Sequence, residues 1–255
     1  MRIIGIVPAR MASTRFPGKP LAKILGKPMI EHVYSRSMLC KKLNFVYIAT
    51  PDKEIQDYCK NNNMNVVMTR DTHERASDRA AEAVLKIEKK SGKKIEIVVM
   101  IQGDEPMLQY EMIDRVIRPM ISDRSINAVN LTAPLKSKQE QNDPNQVKVV
   151  VDKKGFALYF SREPIPSRKK GAKDVPMQRQ IGLIAFRRDF LIKFNELAPT
   201  PLEKIESVDM LRILEHGYRL KMVPGAFNAY GVDTPQDLKK VERLMKAEVR
   251  SNAQK

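Results

Sequence analysis

Short apolar runs alternate with amphipathic stretches through the first half of this 255-residue chain. IIGIV (Ile3 to Val7) has no polar position, the pattern of a strand covered on both faces. MIEHVYSRSML follows and sets Ile30, Val33, Tyr34 and Met38 on one helical face. FVYIAT (Phe45 to Thr50) predicts a second strand, DKEIQDYCK a polar helix, and NVVMT (Asn65 to Thr69) a third strand. SDRAAEAVLKIEKK predicts a helix opened by Ser77 as N-cap, and IEIVVMIQ (Ile95 to Gln102) the most apolar strand. This βαβαβ rhythm implies an α/β fold of the Rossmann-like kind, a mostly parallel sheet flanked by helices.

After about Asp123 the rhythm changes. AVNLTA, VKVVVD, ALYFS and QIGLIAF come close together, joined by turns such as DKKG, and predict an antiparallel elaboration. PLEKIESVDMLRILEHG then reads as one helix ended by Gly217, and TPQDLKKVERLMKAEV as the last. We expect a single domain over residues 1–250, with the elaboration at 125–190 and a frayed tail at 251–255.

Composition narrows the class. Hydrophobic residues are 42% of the chain, enough for a packed core. Forty-six basic against 30 acidic residues give a formal charge of +16, which raises anionic ligands and nucleic acid as partners. Most lysines are scattered and read as solvated surface. Aromatic residues are only 6%, with no Trp, and no nucleic-acid reader motif is present, so we expect no nucleic-acid partner. Cys40 and Cys59 have no metal-ligand spacing, and nothing suggests an oxidising compartment. The chain enters its first strand at once, and no apolar run is long enough to span a bilayer, so a cytoplasmic protein with no membrane partner is expected.

Three stretches carry candidate chemistry. IVPARMASTRFPGKPL crowds Arg10, Arg15 and Lys19 onto one turn beyond the first strand. Ligands of open α/β sheets bind beyond the carboxyl ends of the strands. Gly18 and the small residues Ala9, Ala12 and Ser13 let backbone N–H groups approach an oxyanion, while Arg offers a planar fork and Lys a movable charge. Together these describe a triphosphate cradle unlike a Walker A loop, the alternative being a solvated basic loop. QGDEPML places Asp104 and Glu105 at the end of the most apolar strand, where carboxylates beside phosphates call for a cation such as Mg²⁺. In YGVDTPQDL, Asp233 reads either as part of that cation site or as a helix N-cap ahead of Pro235.

PARMASTRFPGKPL, VMIQGDEPML, DPNQVKVVVDKKGFALYFSREPIP and YGVDTPQDL, in that order, closely resemble the 3-deoxy-manno-octulosonate (Kdo) cytidylyltransferases, or CMP-Kdo synthetases. The resemblance runs from Arg2 to about Met245. It implies a nucleotidyltransferase fold whose antiparallel part helps form a homodimer. It implies a Mg²⁺-dependent reaction of CTP with a 2-keto-3-deoxy sugar acid, giving a CMP-sugar for lipopolysaccharide biosynthesis and pyrophosphate. It assigns Asp104 and Asp233 to Mg²⁺, and Arg10 and Lys19, with both aspartates, to catalysis. Nucleotide contacts are expected from Pro8, Ala9, Arg10, Ser13, Arg15, Lys19, Thr50, Ser77, Arg79 and Gln102. Acceptor contacts are expected from Gln102, Arg162, Gln180, Ile184, Asp209 and Met210, with Arg162 on the acceptor carboxylate. No histidine is needed as base: His32 and His216 read as structural, and His73 matches the family's loop histidine.

The chain departs from the family pattern in several places. The loop H-x-S-G-T-D/E-R is here His73 to Arg79, with Ala76 and Ser77 for the Gly and Thr. H-x-G-x-Y becomes Gln180-Ile181-Gly182-Leu183-Ile184, and E-Q-L-R becomes Asp209-Met210-Leu211-Arg212. Fewer donors predict an acceptor that shares the carboxylate end of Kdo and differs along its hydroxylated tail, with Kdo itself used poorly. The competing readings are a nucleotidyltransferase for another acidic sugar, a sugar phosphate or a phosphonate, and a basic nucleic-acid-binding protein.

Overall fold

The computed structural model describes residues 1–13, 15–171, 175–227 and 230–253, with side chains of the last helix through Ser251. In chain order the elements are β1 (Ile3–Pro8), a 3-10 turn (Lys19–Leu21), β2 (Lys23–Ile24), β3 (Lys27–Pro28), α1 (Met29–Met38), β4 (Phe45–Thr50), α2 (Lys53–Asn61), β5 (Val66–Met68), α3 (Ala76–Ser91) and β6 (Ile97–Met100). Then follow α4 (Tyr110–Ser122), β7 (Ala128–Pro134), α5 (Lys138–Asn142), β8 (Lys148–Val151), β9 (Ala157–Ser161), β10 (Gln178–Arg187), α6 (Arg188–Glu196), α7 (Pro201–Glu206), α8 (Leu211–Glu215), β11 (Lys221–Pro224) and α9 (Pro235–Ala253). Two compact units result, residues 1–113 with 229–255, and residues 114–228. Among the described residues no helix is long and apolar enough to cross a membrane.

The first unit carries the parallel strands. β1 has β6 on one side and β4 on the other, and β4 continues to β5, all parallel. Ile4, Ile6, Val7, Val46, Ile48, Val98 and Val99 are fully buried, as runs without alternation require when both faces are covered. Ile24 and Met29 pack with Val232, Val241 and Met245, which fastens α9 to the segment entering α1. Arg36 on α1 donates to Glu248 on α9 at 2.6 Å, closing the same seam. Of the predicted face of α1, Ile30, Val33 and Tyr34 are buried, whereas Met38 is half exposed and Ser37 takes the inward position. Cys40 and Cys59 are buried and outside any disulfide, and burial pushes the Cys59 thiol up to about 11.

The second unit holds the antiparallel ribbon. β7 pairs antiparallel with β10 and parallel with β11, while β8 pairs antiparallel with β9 and with the start of β10. The β7–β10 register shifts between Gln180 and Ile184. Buried Asn130 repairs this bulge, donating to the carbonyls of Ile181 at 2.7 Å and Leu183 at 3.0 Å. Lys148 is wholly buried and donates to the carbonyls of Asp143 and Arg162, at 2.8 and 2.5 Å. Burial depresses its pKa, against the pull of Asp143.

Two expectations change. The helix expected over 201–217 is two helices, broken where Ser207 adopts a left-handed φ of 52°. Arg162 supplies the reason: its Nε and one terminal nitrogen donate to the carbonyls of Glu206 and Ser207, drawing both out of helical bonding. Gly217 does end the second piece, with φ 76°. At the chain's end α9 extends through Ala253, so residues 251–253 are helical where fraying was expected, and the last two lie outside the described residues.

Arg212 and Glu203 form a nearly buried pair, 1% and 4% exposed, with bonds of 2.7 and 2.5 Å. Glu203→Ala orphans the guanidinium and should cost about 3–5 kcal/mol. Pairing Glu203→Leu with Arg212→Met should cost much less, because neither member of the pair then leaves an unpartnered charge buried. Urea unfolding followed by circular dichroism measures both.

Candidate functional site

The basic loop is built by backbone bonds. Ala9 N–H donates to the Ala49 carbonyl at 2.9 Å, continuing the β1–β4 ladder past the end of β1. Thr50 Oγ1 accepts from Asp52 N–H at 3.1 Å, and the Asp52 carboxylate accepts from Met11 N–H at 2.8 Å. Gly18 N–H then closes the loop on the Met11 carbonyl at 3.0 Å. Gly18 sits at φ 71°, a conformation open to glycine, and the 3-10 turn begins directly after it. Lys19 opens that turn with its side chain only 14% exposed.

Two aspartates from distant parts of the chain meet there. Asp104 follows β6 after Gly103, where an added Cβ would lie 3.0 Å from the Pro8 carbonyl oxygen. A larger residue at this position would crowd the Pro8 carbonyl, so glycine eases the approach of the segment after β6 to the end of β1. Val232 N–H donates to the Asp104 carbonyl at 2.9 Å, which sets Asp233 beside it. The choice between cap and site for Asp233 resolves on the neighbouring residue. Thr234 is the N-cap: its hydroxyl accepts from Asp237 N–H at 3.2 Å, and the Asp237 carboxylate accepts from Thr234 N–H at 2.9 Å. Burial raises the Asp237 pKa, yet bonds from Thr234 and the two N–H groups outweigh it and hold it low. The Asp233 carboxylate faces the loop instead. Lys19 Nζ lies 2.8 Å from Asp104 Oδ2 and 3.4 Å from Asp233 Oδ1, and Arg15 donates to that Asp233 oxygen at 3.0 Å.

The segment ahead of α3 forms another wall. Arg79, almost wholly buried, donates to Thr69 Oγ1 at 2.6 Å and the Arg70 carbonyl at 3.0 Å. Its pKa is lowered by burial first and then by repulsion from Arg10. Glu82 receives His73 Nε2 at 2.5 Å and Arg70 N–H at 2.9 Å. Burial raises the Glu82 pKa, but bonds from Lys86, Arg70 and His73 bring it to about 2. Of the other histidines, His32 donates to the Ile24 carbonyl and His216 to that of Ala198.

These walls enclose a cavity of about 730 Å³. It gathers Pro8, Ala9, Arg10, Ser13, Arg15, Lys19, Arg79, Gln102, Asp104 and Asp233 from the expected set, and adds His73, Glu74, Arg75 and Gly103. Five cations (Arg10, Arg15, Lys19, Arg75, Arg79) face three carboxylates (Glu74, Asp104, Asp233), so the cavity favours an anion. Thr50 and Ser77 do not line it. Thr50 is fully buried and organises Asp52, and Ser77 is buried inside the first turn of α3, whose N-cap is Arg75.

The chain matches the family described as Cytidylyltransferase over residues 4–222. It is 42% identical to the 3-deoxy-manno-octulosonate cytidylyltransferase of Geobacter metallireducens, covering 98% of this chain and 100% of that one. It is 43% identical to the mitochondrial enzyme of that name from Arabidopsis thaliana, covering 96% and 83%. This chain belongs to the 3-deoxy-manno-octulosonate cytidylyltransferase family. It is therefore a nucleotidyltransferase enzyme. A solved CMP:2-keto-3-deoxy-manno-octonic acid synthetase complexed with CTP superposes with a TM-score of 0.91 at 35% identity, covering 97% of this chain and 100% of that one. A cytidylyltransferase from Leptospira borgpetersenii, 15% identical with a TM-score of 0.62 over 95% and 85%, shares the fold.

Beyond Gln102, the acceptor residues expected of a Kdo cytidylyltransferase lie in the second unit, and the ribbon engages several of them. Arg162 donates to three carbonyls, those of Pro144, Glu206 and Ser207, so its fork braces the chain where a carboxylate contact was expected. Gln180 Nε2 donates to Asn130 Oδ1 at 2.7 Å, beside the bulge. Ile184 and Met210 are core residues, 4% and 2% exposed, and Asp209 is half-buried.

Thr234→Ala should lower stability by about 1 kcal/mol through the lost cap, whereas Asp233→Asn should change it by less than about 1 kcal/mol, since its ion pairs are partly exposed. Chemical denaturation of the two variants separates cap from site. The Glu82 carboxylate has an ordinary pKa of 4.5 and about 2 when folded, so its stabilisation is full above 4.5 and is lost as pH falls toward 2. Glu82→Gln should flatten that acid limb in melting temperatures measured from pH 5 to pH 3.

Proposed function

We propose that this enzyme transfers the cytidylyl group of CTP to Kdo in the presence of Mg²⁺, releasing pyrophosphate. The observation that carries the reading is the meeting of Asp104, Asp233 and Lys19 inside a cation-rich cavity of triphosphate scale. In the reaction the anomeric hydroxyl oxygen of the sugar acid attacks the α-phosphorus. A new P–O bond forms, the bond from the α-phosphorus to the bridging oxygen breaks, and pyrophosphate leaves with that electron pair. The hydroxyl proton passes to solvent. Such transfers ask the protein for positioning and charge neutralisation more than for covalent chemistry.

Arg10, Arg15 and Lys19 screen the phosphates, with Gly18 and Ala9 bringing backbone close. The carboxylates of Asp104 and Asp233 are the groups that would hold Mg²⁺. They fit it: both converge on one cation already, and Mg²⁺ is bound through one or two carboxylates, with phosphate oxygens and water completing its shell. When bound, the ion would withdraw charge from the α-phosphate and ease ionisation of the attacking hydroxyl.

For the acceptor, the packing revises the expectation that Kdo is used poorly. Ile184 and Met210 fill the core and Gln180 serves Asn130, so these departures read as packing changes, and Kdo stays the proposed acceptor. Gln102, on the cavity wall, remains the acceptor contact we propose. A homodimer formed through the ribbon, and a cytoplasmic location, complete the proposal.

Pyrophosphate release with each of the four NTPs, with and without Kdo, tests this reading. CTP with Kdo should be the productive pair. Asp104→Asn and Asp233→Asn should each lower kcat/KM on the order of 10²–10³-fold, the scale of a lost charge-stabilising contact. Arg15→Lys should also slow the enzyme, because a bidentate fork becomes a point charge. Release with another NTP alone, or full activity of both Asn variants, would reject it.

A further inference from the structure

The position of the Lys19 ammonium says more than that a cation is near the phosphates. Its Nζ lies within 3.4 Å of both aspartates, and its side chain is 14% exposed. Arg15 reaches Asp233 too, but from the rim, with 66% of its side chain exposed. Lys19 is thus the shielded cation of the pair, sitting where the carboxylates converge. Among the described residues no group of three or more His, Cys, Asp or Glu side chains is arranged to hold a metal ion. Two carboxylates already paired with an ammonium, and one of them with Arg15 as well, make a poor site for a free dication. Resting on the reading that Asp104 and Asp233 hold Mg²⁺, we infer that Lys19 is an internal counter-ion that blocks the metal until the triphosphate arrives.

The triphosphate changes the balance in two ways. It offers Lys19 a competing anion, so the ammonium can leave the carboxylates without losing charge pairing. It also brings phosphate oxygens that complete the shell two aspartates leave unfilled. Metal and nucleotide then enter together, and Lys19 moves from carboxylate to phosphate as they do. The turn suits such a move: Lys19 is its first residue, and its long stem carries a point charge that needs no fixed fork geometry. A lysine does this where an arginine, locked bidentate onto a carboxylate, would not.

The test is direct binding of Mn²⁺, read by electron paramagnetic resonance of the free ion, without acceptor so that nothing turns over. The wild-type enzyme alone should bind Mn²⁺ weakly, and with CTP strongly. Lys19→Met keeps the length and removes the charge. Without nucleotide it should bind Mn²⁺ roughly tenfold or more tighter than wild type. Adding Asp104→Asn to Lys19→Met should erase that gain. A melting curve of each variant confirms that it is folded, and Lys19→Gln serves if the Met variant is not. Equal Mn²⁺ affinity of nucleotide-free wild type and Lys19→Met would overturn the inference, as would wild-type affinity that CTP does not raise. If instead Asp104→Asn and Asp233→Asn in the wild-type background leave Mn²⁺ binding with CTP unchanged, the metal assignment itself fails.

Discussion

One ammonium held between two carboxylates organises the cavity of this enzyme. Asp104 and Asp233 are far apart in sequence, and like charges this close would repel without Lys19 between them. Much of the surrounding structure serves to bring the three together. Gly103 permits the approach of the segment after β6 to the end of β1. The bond from Val232 to the Asp104 carbonyl sets the second carboxylate beside the first. The Thr234–Asp237 cap starts α9 without using Asp233, and buried Val232, Val241 and Met245 fasten that helix down.

A second constraint is that cations in the interior must find acceptors. Lys148, Arg162 and Arg212 in the second unit meet backbone carbonyls or a buried carboxylate. Arg79 in the first unit does the same with Thr69 and Arg70. Part of the basic excess is therefore structural glue inside the units, not a face offered to a polyanion. The cavity differs because its cations outnumber its carboxylates, a surplus that a triphosphate can neutralise.

The strands and most helices were legible because their signals are local. Buried runs such as Ile97–Met100 and the period of α3 need no tertiary information. The basic loop was legible for the same reason: its charges lie on one short stretch after the first strand. What was not legible is how side chains are committed across the fold. Arg162 looked like a carboxylate receptor and is a brace, and that brace breaks the helix at Ser207. Thr50 acts through Asp52 on Met11, a chain of bonds no motif announces. Asp233 was ambiguous because Thr234, with Asp237 at the right spacing, is an equally good cap. Met210 and Ile184 resembled pocket residues by position and are core by packing.

When CTP binds, the aspartate pair should trade the Lys19 ammonium for a metal ion. Crystals grown with CTP and Mn²⁺, measured at the manganese absorption edge, would show that exchange. One anomalous peak should lie within coordinating distance of both Asp104 and Asp233, with Lys19 Nζ moved onto a phosphate oxygen. A peak away from that pair, or Lys19 still bridging the two carboxylates beside bound CTP, would contradict it.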